Sequence, residues 1–332
     1  IEDMIAEEEM VLTITHNGYI KRTNLNTYRS QRRGGRGVQG ATSRDEDFVE
    51  HLFVANTHSY ILFFTDKGKC YWVKVYDIPE GGRAAKGRAI VNLIGCEPDE
   101  KVSAFISVKE FNDDHFVVMA TEKGIVKKTK LSAYSNPRKK GIYAVEIRDG
   151  DKLIEARVST GDNDILLGTR NGKSIRFSEE QIRPSGRKTM GVKGITLSSK
   201  DDRLVGMLLI KREGTTVLVA TEKGFGKRTE ISQYRAQKRG GKGVLTMKTT
   251  EKVGKMVTIK EVVDKDDLMI ITNQGVLIRQ PVSQIRAIGR ATQGVKLINL
   301  GEGTLVSSIT RIMSEEDSGD ENNSTEPKGN TE

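Results

Sequence analysis

The sequence predicts an all-β fold, a single propeller-like disc of six four-stranded blades. Three observations predict it. A short apolar strand followed by Thr, two residues and Gly recurs six times in 332 residues. Helical periodicity is weak throughout, because Gly and Pro punctuate the candidate stretches. Basic loops fall at matching places between the recurrences, as expected of one supersecondary unit repeated along a chain. A β-solenoid is the rival architecture, but its repeats are usually shorter and its strands simpler.

The six recurrences are VLTITHNG ending at Gly18, ILFFTDKG at Gly68, VVMATEKG at Gly124, ILLGTRNG at Gly172, VLVATEKG at Gly224 and LMIITNQG at Gly275, spaced by 50, 56, 48, 52 and 51 residues. Each ends in a two-residue turn such as Asn17-Gly18 or Lys123-Gly124, where glycine takes the left-handed conformation that a tight hairpin needs. A second strand follows, rich in cations: Lys21 and Arg22, Lys74, Lys127 and Lys128, Arg176, Lys227 and Arg228, Arg279. Next comes a basic loop. It closes on a Gly and a branched residue that open a third strand, as in Gly37-Val38, Gly141-Ile142, Gly194-Ile195, Gly243-Val244 and Gly294-Val295. A fourth apolar stretch, such as VSAFISV from Val102 or LVGMLLI from Leu204, leads into the next unit.

Composition narrows the function. The chain has no run of 18 apolar residues, and its first ten residues are acidic rather than basic and then apolar, so neither membrane nor export is indicated and a cytoplasmic location is expected. Cys70 and Cys96 lack a CxxC partner and read as core thiols; His16, His51, His58 and His115 are scattered and show no metal-ligand spacing. No metal or cofactor is expected. Ser314 to Glu332 carries seven acids and one lysine, so the whole-chain charge of +9 places +15 on residues 1–313. That division predicts one basic domain over 1–313, suited to a polyanionic partner, and a disordered acidic tail over 314–332. Tethered to a basic disc, the tail is expected to compete with a polyanion and to lower its binding.

Two motifs are decoys. Gly35 to Gly40 (GRGVQG) fits a dinucleotide fingerprint but lacks the strand before it and the helix after it. Gly168 to Ser174 (GTRNGKS) has three residues between its glycines where a phosphate loop needs four, and the repeat reads it as a hairpin turn. No nucleophile, acid and base occur in a recognisable set, so the domain is not expected to be an enzyme.

The loops carry the chemistry. QRRGGRG, from Gln31, Arg32 and Arg33 through Gly34, Gly35 and Arg36 to Gly37, combines forked phosphate donors with a backbone free to approach a ligand. A second such loop is QKRGGKG: Gln237, Lys238, Arg239, Gly240, Gly241, Lys242 and Gly243. The other loops offer Arg83, Lys86 and Arg88, then Arg138, Lys139 and Lys140, then Arg187 and Lys188, and finally Arg286 and Arg290. On a radial fold, equivalent loops trace an arc of cations suited to a curved phosphate backbone. Bending DNA by about 40–90° costs roughly 1–6 kcal/mol, so one loop is too little to hold a bend and several blades are needed. Aromatic residues make up only 5% of the chain, which favours duplex contact through phosphates over base stacking.

QRRGGRG resembles the seven-residue box of the gyrase A protein of bacterial DNA gyrase, and IEDMIAEEEMVLTITHNGYIKR resembles the start of that protein's C-terminal domain. The resemblance covers residues 1 to about 313. It implies a six-bladed β-pinwheel in which neighbouring blades share strands and duplex DNA wraps the basic rim. It further implies the chiral wrap by which gyrase introduces negative supercoils, with box cations Arg32, Arg33 and Arg36. The implied partners are duplex DNA, the gyrase A cleavage domain and gyrase B in an A2B2 holoenzyme; ATP and Mg would act elsewhere in that assembly. The region with the cleavage tyrosine is absent from this sequence, so an isolated, non-cutting and monomeric domain is expected. QKRGGKG departs from the simplest family pattern, either as a second anchor or as repeat ancestry. The alternatives are the equivalent domain of topoisomerase IV, which typically lacks an intact box, and a propeller serving as a protein-interaction scaffold.

Overall fold

The structure is a computed structural model that describes residues 2–27, 47–82, 85–210 and 215–312. The box at Gln31–Gly37, the Gly37-Val38 step, the GxGxxG decoy, Arg83 and the acidic tail lie outside the described residues.

Every repeat starts with an antiparallel hairpin. The pairs are β1 (Glu9–Thr15) with β2 (Tyr19–Asn24), β4 (Tyr60–Thr65) with β5 (Lys69–Lys74), and β8 (Phe116–Thr121) with β9 (Ile125–Lys130). They continue with β12 (Asp164–Thr169) and β13 (Lys173–Ser178), β16 (Thr216–Thr221) and β17 (Phe225–Glu230), and β20 (Asp267–Thr272) and β21 (Leu277–Pro281). The six turn glycines have φ between 74° and 88°. The signature threonine closes the turn. In five repeats its hydroxyl accepts the amide of the residue after the glycine, as when Tyr19 N–H reaches Thr15 at 3.1 Å and Lys173 N–H reaches Thr169 at 3.1 Å.

The last strand of each repeat pairs with the other side of the first: β3 (Val49–Asn56), β7 (Val102–Val108), β11 (Leu153–Ser159), β15 (Leu204–Ile210), β19 (Met256–Val262) and β23 (Val306–Ile312). The remaining strands are two residues long and belong to two units at once. β6 (Arg88–Ala89), β10 (Ile142–Tyr143), β14 (Val192–Lys193), β18 (Val244–Leu245) and β22 (Val295–Lys296) each pair with the second strand of the preceding repeat, namely β2, β5, β9, β13 and β17. The first five blades therefore have four strands, the outermost donated by the next repeat. The sixth, β21-β20-β23, has three among the described residues.

The step into the short strand falls at Gly87, Gly141, Gly191, Gly243 and Gly294, with φ between 74° and 86°. In repeat four this corrects the expected Gly194-Ile195. β14 opens at Gly191-Val192, and a Cβ on Gly191 would lie 2.5 Å from the carbonyl oxygen of Val126. Gly194 instead holds the place of Ala144, Thr246 and Leu297, whose amides bond the turn glycine of the blade that receives the strand; Gly194 N–H reaches Gly124 O at 2.8 Å.

Blades stack face to face, which is why the first strands are continuous apolar runs. Val117 and Met119 of β8 face the second blade with Leu62 and Phe64, while Val118 and Ala120 face the fourth with Ile165 and Leu167. That is strand alternation with both faces buried. The ring closes where β23 meets β3.

Candidate nucleic-acid interface

In blades one, three, four and five, cations of the second strands turn out to be clamps for the loop of the next repeat, whereas Lys74 donates to Glu2 and His58 O and Arg279 pairs with Asp267 of its own hairpin. Lys21 Nζ donates to the carbonyls of Gly82 and Ala85, both at 2.9 Å, and Arg22 Nε donates to Ile78 O at 2.7 Å. In the third blade Lys127 Nζ reaches Ala144 O at 2.6 Å and Arg187 O at 2.5 Å. Its neighbour Lys128 donates to Glu179 O at 3.1 Å, with the buried Glu179 carboxylate 3.7 Å away. Arg176 spans Ile231 O and Tyr234 O, and Lys227 donates to the carbonyls of Gly289, Arg290 and Thr292. Backbone carbonyls of each of these loops are thus held by buried or half-buried charge, so the loops take one shape before any ligand arrives.

Burial leaves a mark on these amines. Lys127 and Lys227 are 1% and 0% exposed. Caged by carbonyls rather than carboxylates, and with the Arg187 and Arg290 guanidinium groups close by, their pKa values fall to about 8 through desolvation first and repulsion second. Burial lowers Lys21 in the same direction.

The loop cations divide into two sets. Arg187, Arg239 and Arg290 stand four residues before the loop glycine and are half-buried. Each guanidinium donates to the second residue of the preceding short strand: Arg187 to Tyr143 O at 3.0 Å, Arg239 to Lys193 O at 2.7 Å, and Arg290 to Leu245 O. Two glutamines that sequence reasoning missed assist them. Gln181 Oε1 accepts Arg239 N–H at 2.8 Å, and Gln233 Oε1 accepts Arg290 N–H at 3.0 Å. Their similar spacing from the loop in the two repeats was the available signal. Lys86, Arg88, Arg138, Lys139, Lys140, Lys188, Lys238, Lys242 and Arg286 are exposed.

The second box-like loop shows how such a motif is built. Gln237 N–H bonds Arg176 O at 2.7 Å, Gly240 at φ +84° donates to Gly194 O at 2.8 Å, and Gly241 O accepts Thr196 N–H at 2.9 Å. Gln237, Arg239 and the glycines shape the loop, which leaves Lys238 and Lys242 pointing charge outward. The other decoy, Gly168 to Ser174, is the β12–β13 hairpin, as the repeat implied.

Six successive matches to the DNA gyrase C-terminal domain, beta-propeller, cover residues 9–56, 59–109, 115–160, 163–211, 215–262 and 266–312, one per blade. The chain belongs to the DNA gyrase A C-terminal domain family. It is 47% identical to the DNA gyrase A protein of Staphylococcus epidermidis over 318 residues, covering 95% of this chain and 36% of that protein. Against the Staphylococcus aureus gyrase A protein it is 46% identical over 332 residues, covering 99% of this chain and 37% of that protein. It thus spans just over a third of these relatives. Among solved structures, the C-terminal domain of DNA topoisomerase IV superposes with a TM-score of 0.82 at 25% identity, covering 93% of this chain and 95% of that one. A DNA gyrase A C-terminal domain superposes at 0.69 with 23% identity, covering 92% and 100%. The β-pinwheel implied by the resemblance is the observed fold.

Proposed function

We propose that this gyrase family domain binds duplex DNA along its rim and bends it into the chiral wrap by which a gyrase holoenzyme introduces negative supercoils. The supporting observation is the clamped loop. Four of the first five blades hold the next basic loop in one shape with interior cations, while a separate set of loop cations stays exposed. Contacts would be to phosphates, with little base readout. On this reading the partners are DNA, the gyrase A cleavage region and gyrase B in an A2B2 assembly in the bacterial cytoplasm, and the domain itself cuts nothing. The box, Arg32, Arg33 and Arg36 included, would add to the same track.

The test is to seal nicked plasmid with ligase at increasing protein and read the linking number. A progressive shift is the expected result, and its sign gives the handedness. A second reading, the topoisomerase IV type of domain, is favoured by the TM-score of 0.82 to that enzyme's domain. It predicts DNA binding with no shift. Repeating the assay on residues 1–313 separates that outcome from suppression by the acidic tail, whose removal is expected to increase the shift.

A further inference from the structure

Each short donated strand makes two cross-strand pairs at the rim, and in four successive blades one of the two joins a lysine to an apolar residue. β5 and β10 place Lys69 opposite Tyr143, and β9 and β14 place Ile125 opposite Lys193. β13 and β18 place Lys173 opposite Leu245, and β17 and β22 place Phe225 opposite Lys296. The lysine comes from the second strand in blades two and four and from the donated strand in blades three and five. In the first blade the same position pairs Tyr19 with Ala89, and Lys86 lies over the Tyr19 ring at 4.3 Å from its centroid.

This pattern differs from that of the clamps. The Nζ atoms of Lys69, Lys173, Lys193 and Lys296 make no hydrogen bond or ion pair with another described residue. Their cross-strand partners are apolar, and for two of them a ring lies close: Lys69 lies 5.8 Å from the Tyr143 ring and Lys296 lies 5.9 Å from the Phe225 ring. A stem laid on an apolar neighbour loses freedom in advance and keeps its ammonium in water. Each lysine also stands at the strand that its blade's basic loop feeds, two residues beyond the loop glycine or directly across from that position.

We propose that Lys69, Lys173, Lys193 and Lys296 form a second row of phosphate contacts beside the basic loops, so that the rim grips duplex DNA along two lines. This rests on the DNA-binding reading above. Supply of the lysine from either strand suits a requirement for one charge per blade at a fixed place, which a solvated face does not impose. Two rows also suit a duplex, whose two backbones run side by side.

The test compares salt dependence of binding to a linear duplex for the full chain, for Lys69→Ala/Lys173→Ala/Lys193→Ala/Lys296→Ala, and for an off-rim control. The control removes Lys101, Lys109, Lys152 and Lys200, exposed lysines flanking the innermost strands, and so matches the charge change. Each phosphate contact contributes about 0.9 to the slope of log K against log salt, so the rim variant is expected to lose about 3 to 4 units and the control less than one. The Lys→Arg quadruple keeps charge and backbone and is expected to retain the original slope, which guards against a variant that fails to fold. A rim slope within one unit of the unmodified chain, or an equal fall in the control, overturns the second row. Absence of salt-dependent binding by the unmodified chain overturns the DNA reading itself.

Discussion

The Thr310 hydroxyl donates to Glu50 Oε1 at 3.1 Å, joining the last strand to the first blade across 260 residues. The other oxygen of that carboxylate lies 3.1 Å from His16 Nδ1, in the first hairpin turn. One side chain thus ties the ring seam to the turn that starts the ring. Glu50→Ala, which removes both contacts, is expected to cost about 1–3 kcal/mol in urea unfolding, and Thr310→Val about 1 kcal/mol. The loss should appear first as faster amide exchange in β3 and β23. Uniform exchange over all blades would show that the seam has no special role.

Lys227 tests the clamps through pH. Its amine titrates near 8 in the fold against an ordinary 10.5. Between those values the unfolded chain binds more protons than the folded one, so this group makes stability rise with pH across that window. Below about 8 both states are protonated and the burial cost is present in full. Lys227→Met removes the titration, so the stability difference between the original chain and the variant should move in favour of the original as pH goes from about 7 to about 10. A flat difference in urea midpoints would contradict the buried charge.

Glycines separate two kinds of strain. Gly18 has φ +83° with nothing within 4 Å of an added Cβ, so Gly18→Ala meets only the left-handed penalty of about 1–2 kcal/mol. Gly243 has φ +74°, and its Cβ would lie 2.2 Å from Ser174 O. Gly243→Ala should therefore cost clearly more and detach β18 from β13. Equal melting shifts for the two variants would argue against a tight entry to the donated strand.

Arg290 and Arg286 share a loop and should behave differently. Arg290 donates to Leu245 O and is half-buried, whereas Arg286 is exposed. Arg290→Ala is expected to lower the melting temperature along with DNA affinity. Arg286→Ala should leave melting unchanged and reduce the salt slope by about 0.9. If Arg290→Ala melts like the unmodified chain, the guanidinium is no latch.

Much of the fold is legible because its cause is local. A glycine at positive φ and an apolar run with both faces buried each act within a few residues, so Gly18 through Gly275 locate all six hairpins. Strand donation is not local. Val192 pairs with Val126, and nothing in Gly191-Val192 distinguishes that glycine from Gly194 until entry into the neighbouring blade sets Gly191, and not Gly194, at positive φ. The site was legible to the same depth. Basic loops could be counted, but the exposed charge of Lys242 and the latched charge of Arg239 look alike until carbonyl partners are seen. The inward role of Lys127 needed the cage formed by Ala144 and Arg187.

Because the short strand of each repeat completes the blade before it, the unit copied along the chain is one strand out of step with the unit that folds. Every interior junction presents the same kind of socket, the edge of a hairpin's second strand, to the same kind of plug, a basic loop ending in glycine and a two-residue strand. An unequal crossover that adds or deletes one unit of about 50 residues would therefore leave no interior edge bare. Only the two ends would register the change, so blade number can drift between relatives while each remaining joint keeps its chemistry.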